Sequence, residues 1–122
     1  MKSKRMHIEF LQDIADNLEK AERFVDGMEF EDFLKDEKTR YSVICALEIV
    51  GEASKKVPSS VRQRNPQVPW KDMAGMRDRL VHGYFGVDNE IVWKTVREFA
   101  PEIRLKMKYI IERERERLKL TN

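Results

Sequence analysis

Apolar residues recur every three or four positions along most of this chain, with polar residues between them, the pattern of helices that each bury one face. Phe10, Leu11, Ile14, Leu18, Ala21 and Val25 predict a first helix over about residues 7–25, with Gly27 as its C-terminal cap. Residues 28–34 read as a short connection in which Phe30 and Phe33 dock as a turn of helix. A second helix is predicted from Asp36 to Lys56, with Tyr41, Ile44, Cys45, Leu47, Ile49 and Val50 as apolar positions. Gly51 and Ala53 continue it and are small enough for another helix to approach closely. Pro58 stops it just after Lys55 and Lys56, whose charges suit a helix C-terminus.

Residues 59–68 are less regular: Ser59 or Ser60 caps a short helical turn and Asn65-Pro66 closes it. Pro69 suits the first turn of a third helix that takes in Trp70, Met73, Met76, Leu80 and Val81 and frays around Gly83 and Gly86. Asp88 is the expected N-cap of the next helix, whose face is Ile91, Val92, Val96 and Phe99. Pro101 is expected to kink that helix or to start a new one over 102–118. Residues 112–117 alternate in charge sign, which predicts a solvated face with i,i+3 pairs. No strand alternation, repeat or internal boundary interrupts the pattern. The expectation is one all-α domain over residues 1–122, an antiparallel bundle of four main helices plus short helical pieces.

Composition narrows the function classes. Charged residues make up 38% of the chain and hydrophobic residues 41%, a folded composition with a well-solvated surface. The net charge of +2 supplies no bulk field for nucleic acid, so RNA binding would need local clusters such as Arg62, Arg64, Arg77 and Arg79. Cys45 is the only cysteine, which excludes an intrachain disulfide and a thiolate metal cluster, and its apolar neighbours predict a buried thiol. The basic residues at the N-terminus are not followed by an apolar stretch, and no run approaches the roughly 20 apolar residues of a membrane span. A cytoplasmic protein with no signal peptide and no membrane association is expected.

Two histidines are present. His7 sits among charged residues and reads as an exposed bystander. His82 lies just before Gly83, where a helix loosens, with Arg77, Asp78, Arg79 and Tyr84 nearby. An imidazole can give or take a proton near neutral pH. A guanidinium can hold a phosphate bidentately and stabilise the charge that grows on it. On a continuous helix, Asp78 would reach the His82 ring four residues on and fix its tautomer. Arg77 and His82 are five apart, roughly 140° around an ideal helix, so they converge only if the helix ends or bends near Gly83, or if a second chain completes the site. Cleaving RNA without a metal needs a base for the 2′-hydroxyl and an acid for the leaving oxygen. One chain supplies one plausible histidine, whereas a twofold dimer supplies two. The sequence has no His-x-x-x-His pair, no Cys-His cluster and no convincing carboxylate array, so neither a metal site nor a cofactor is expected. Surface helices often carry Arg-Asp-Arg followed by histidine, so these residues alone leave catalysis and plain surface charge both open.

Residues 70–88, WKDMAGMRDRLVHGYFGVD, resemble the signature region of the HepT-like proteins, a branch of the HEPN superfamily. The family pattern is arginine, four residues, histidine, one residue, tyrosine, and Arg77, His82 and Tyr84 fit it without a gap. Asp78 matches the polar residue favoured after the arginine, and the flanks Gly51-Glu52-Ala53 and Ile91-Val92-Trp93 resemble the neighbouring helices. The resemblance implies a HEPN-type helical bundle that forms a homodimer, or a higher oligomer built from it, with two motifs meeting at a cleft. It implies a metal-independent endoribonuclease toxin acting on RNA. In it His82 does the proton chemistry, Arg77 stabilises the pentacoordinate phosphate and Asp78 orients one of them. Arg79 is a further candidate for an RNA phosphate contact. The implied partner is a minimal nucleotidyltransferase antitoxin of the MntA type, which would transfer AMP to Tyr84 and so place a bulky anion in the cleft. The main alternative is a non-catalytic HEPN module that docks such a nucleotidyltransferase and presents a nucleotide or substrate to it. A third is a structural helical dimer with a vestigial motif.

Overall fold

A computed structural model describes the backbone of residues 2–81 and 86–121 and the side chains of 7–81 and 86–120. The first helix, α1 (Lys2–Phe24), buries Leu11, Ile14, Leu18 and Ala21 completely, at the spacing the sequence predicts. Each such side chain taken from water contributes roughly 1–3 kcal/mol. Beyond it the chain reverses at Gly27, whose φ of +77° is a conformation that other residues rarely adopt. The connection contains α2 (Phe30–Lys35), which seats Phe33 in the core against Trp93, ring centroids 5.3 Å apart.

Helix α3 (Glu37–Lys56) starts where expected, with the Asp36 carboxylate accepting from the Thr39 backbone N–H at 3.0 Å. That bond holds the Asp36 carboxyl below its usual pKa, so the stability it contributes is present above the ordinary aspartate range and lost as pH falls through the lowered value. The predicted apolar set of α3 divides in two. Ile44, Leu47 and Val50 face the core, but Tyr41, Cys45 and Ile49 are exposed. The expectation of a buried Cys45 thiol is therefore corrected: residues 41, 45 and 49 are four apart and form a second stripe, turned away from the side that Val43, Leu47 and Val50 bury.

The short α4 (Ser59–Arg64) follows. The predicted third helix is two pieces, α5 (Trp70–Ala74) and α6 (Met76–Leu80), joined at Gly75 with φ −88° and ψ 11°. Downstream, α7 (Asn89–Lys94) and α8 (Ala100–Thr121) are continuous through a π turn at Thr95–Phe99. Pro101 is the second residue of α8, so the stretch it is expected to start does begin there, entered through the π turn without a break in the helical backbone. It has no N–H for the carbonyl four residues back and its ring would crowd that carbonyl; the widened turn, in which the Ala100 N–H bonds Thr95 O, absorbs both.

Helix α1 runs antiparallel to both long neighbours. Glu22, near its end, pairs with Arg104 near the start of α8, and His7, near its start, lies 3.7 Å from Glu114 late in α8. Lys56, the last residue of α3, covers the Phe10 ring of α1. Two expectations about charge are corrected here. His7 is only 12% exposed, and Glu114, placed by sign alternation on a solvated face, is 3% exposed. Arg64 at the end of α4 donates to both Glu114 carboxylate oxygens, at 2.7 and 3.3 Å, and Arg113 donates to the buried Asn65 at 2.8 Å. The charge pattern is solvated only where nothing packs on it, and α4 packs there. No described helix is long and apolar enough to cross a membrane. The all-α bundle expected from periodicity is the observed fold.

Candidate active site

The site is built on α6. Met76 and Leu80, four apart, are buried, so the three residues between them must point outward. Arg77, Asp78 and Arg79 are accordingly exposed on one short helix. The Arg77 side chain is 72% exposed, and its Nε lies 3.6 Å from Glu48 Oε2 on α3. An exposed pair at that distance contributes little to stability and leaves the guanidinium fork free for a phosphate.

Helix α6 ends at Leu80, and Val81 is extended with φ −122° and ψ 121°. The expected loosening near Gly83 therefore comes earlier, before residue 82. The route from Asp78 to His82 along a continuous helix is not available. Residues 82–85 lie outside the described residues, and with them the expectations for His82 and Tyr84. The chain on either side is tied together: Val81 and Val87 form an antiparallel bridge, and the Asp88 N–H donates to Leu80 O at 3.0 Å. Asp88 also caps α7, its carboxylate accepting from the Ile91 N–H at 3.1 Å, as its place in the sequence predicts. Among the described residues, no group of three His, Cys, Asp or Glu side chains could hold a metal ion.

Gly51 of α3 decides how close α6 comes. A Cβ there would stand 3.2 Å from the Met73 carbonyl oxygen and 3.3 Å from Met76 Cβ, on either side of the Gly75 junction. This is the close approach that the small residues of the second helix suggest. Gly51→Ala is expected to be near neutral, because the gain in helix propensity of about 1 kcal/mol offsets mild crowding. Gly51→Val should cost about 1–3 kcal/mol in chemical denaturation. A valine variant as stable as the wild type would show that this contact does not hold the α5–α6 junction.

Sequence reasoning missed Glu48, the carboxylate beside Arg77. The two are 29 positions apart, and only the packing of α3 against α6 joins them. It also missed a groove next to the motif, between α5–α6 and the π turn.

The HepT-like family model, described as ribonuclease HepT-like, matches residues 14–110. The probable ribonuclease HepT of Thermococcus cleftensis is 50% identical over 101 residues, 83% of this chain and 92% of that protein. A Methanocaldococcus jannaschii protein provisionally named an RNase is 42% identical over 103 residues, covering 84% and 85% of the two chains. Another so named, from Caldanaerobacter subterraneus subsp. tengcongensis, is 41% identical over 106 residues, covering 87% and 95%. No solved structure matches. With its all-α bundle and a family match that spans α6 and both neighbouring helices, this chain belongs to the ribonuclease HepT-like family of HEPN proteins.

Proposed function

We propose that the protein is a metal-independent endoribonuclease toxin whose active site forms where two copies bring their Arg77 and His82 residues together. The observation that carries this is Arg77: a guanidinium displayed to solvent on α6, within an intact Arg-x4-His-x-Tyr pattern, in a chain of the HepT-like family. In the proposed reaction an imidazole takes the 2′-hydroxyl proton and the freed oxygen attacks the adjacent phosphorus. Arg77 holds the equatorial oxygens as their charge grows. The bond to the 5′-oxygen breaks, and a second, protonated imidazole gives its proton to that oxygen. The products are a 2′,3′-cyclic phosphate and a 5′-hydroxyl. Asp78 orients one of these groups, and Arg79 holds a further phosphate. Transfer of AMP to Tyr84 by a minimal nucleotidyltransferase antitoxin would neutralise Arg77 and obstruct the cleft.

The need for a base and an acid argues for two copies, since each chain brings one His82. The stripe Tyr41, Cys45 and Ile49 supports a surface for that pairing: Tyr41 is 70% exposed, and Glu48, the partner of Arg77, lies beside the stripe on the same helix. A twofold axis crossing this stripe would set the two Cys45 residues near each other. Mild oxidation is expected to link wild-type protein into a covalent dimer through Cys45, the sole cysteine, and Tyr41→Arg is expected to abolish both the link and the dimer seen by light scattering. A dimer that survives Tyr41→Arg and fails to link would move the axis to another face.

The function is tested by incubating the protein with mixed cellular RNA in EDTA, beside Arg77→Ala and His82→Ala, after intact mass has excluded AMP on Tyr84. Cleavage by the wild type alone, with cyclic phosphate ends, is expected. No cleavage by unmodified dimer over a wide RNA panel would overturn the nuclease in favour of a module that docks a nucleotidyltransferase.

A further inference from the structure

The groove beside the motif has two helical walls. Asp72, Met76 and Arg79, spaced four and three apart, form one wall on α5 and α6. The other comes from α7 and the π turn, where Lys94, Glu98 and Phe99 follow Ile91 at helical spacing. The groove is open to solvent on one side and has a volume of about 360 Å³, within the range of small-ligand pockets. Burial separates its floor from its rim. Met76 is 3% exposed, and Ile91 and Phe99 are partly buried, so the floor is apolar with one aromatic ring. Arg79, Lys94, Asp72 and Glu98 are exposed, so the rim carries two cations and two carboxylates.

None of the proposed catalytic steps uses this groove except through Arg79, yet the helix that presents Arg77 also forms one of its walls. The π turn is the second pointer. It supplies Thr95, Glu98 and Phe99 to the groove, and such widened turns concentrate at functional sites. An apolar floor with a ring suits a base face, and cations at the rim suit its phosphate. The carboxylates accept only, so as a pair they suit an exocyclic amino group, which presents two N–H donors. Uracil has no amino group: its single donor, N3–H, can meet one carboxylate, but the carbonyl oxygens on either side of it would face the other.

We propose that this groove is a nucleotide subsite that seats one base of the bound RNA and selects adenine, cytosine or guanine over uracil. The proposal deepens the ribonuclease reading and rests on it for its place in catalysis. Arg79 and Lys94 hold the phosphate of the seated nucleotide, Glu98 and Asp72 read its amino group, and Phe99 packs on its face.

The test titrates the full-length wild-type protein with each of AMP, CMP, GMP and UMP in EDTA, followed by amide NMR, and compares Lys94→Ala and Glu98→Gln, both at exposed positions. Shifts are expected to cluster at Met76, Ile91, Thr95 and Phe99, with UMP bound about tenfold more weakly than the other three. Lys94→Ala should weaken all of them, and Glu98→Gln should reduce the discrimination against UMP. The same variants are then scored for base preference in RNA cleavage. Absence of shifts at the groove, or equal binding of all four nucleotides, overturns the subsite. If the wild type cleaves RNA with a base preference that Glu98→Gln leaves unchanged, the subsite fails and the ribonuclease reading stands. If the groove binds nucleotides as described but no RNA is cut, the ribonuclease reading fails and the site remains as a nucleotide site.

Discussion

Arg77→Ala is expected to lower the rate of RNA cleavage by about 10²–10³-fold, the usual cost of removing one donor to a developing oxyanion. The loss should fall on kcat more than on KM, because the equatorial oxygens gain charge as the transition state forms. Stability should hardly change. The side chain is 72% exposed and its partner Glu48 is 3.6 Å away across a wet surface, so folding free energy should move by no more than about 0.5 kcal/mol. Arg77→Lys keeps the charge but loses the planar fork and should recover only part of the rate. His82→Ala should cost about 10²–10⁴-fold, the range for removing a proton-transfer group. Initial rates on a defined RNA in EDTA, with melting curves on the same samples, check both. An Arg77→Ala enzyme of undiminished kcat would remove the arginine from the reaction.

The largest effect on stability is expected at Phe33. Its ring is fully buried and tilts against Trp93 at 5.3 Å, and Trp93 belongs to α7, a wall of the groove. Phe33→Ala removes that contact and leaves a cavity between α2 and α7, at a cost of about 3–5 kcal/mol. In a domain of this size that corresponds to a fall in Tm of roughly 10–20 °C. The neighbouring Phe30, only partly buried and 5.9 Å from the same ring, should matter much less. Thermal denaturation followed by circular dichroism measures both, and near-equal effects would contradict the burial-based ranking.

Helix type and position were legible because they rest on local rules. The face of α1, the Asp36 and Asp88 caps, the left-handed Gly27 and the small Gly51 all follow from spacing, hydrogen-bonding side chains or the absence of a Cβ. Less was legible where a long-range partner decides. Spacing did not tell the exposed stripe of Tyr41, Cys45 and Ile49 from the buried one beside it, because both have helical period. Sign alternation put Glu114 on a wet face, while Arg64, 50 residues away, covers it. The motif itself was readable as residue types at a fixed spacing, but its geometry was not: α6 stops at Leu80, so helical arithmetic from Asp78 to His82 does not apply.

The sequence by itself determined an all-α domain, most of its helix starts and stops, the residues of the Arg-x4-His-x-Tyr pattern and the resemblance to the HepT-like family. Each depends on interactions within a few residues of chain or on the order of residue types. The tertiary structure alone decided that Glu48 meets Arg77, that Glu114 and His7 are enclosed, that the π turn carries the chain past Pro101 and that a groove opens between α6 and that turn. These depend on which surfaces pack together across tens of residues, a pairing that no local pattern records.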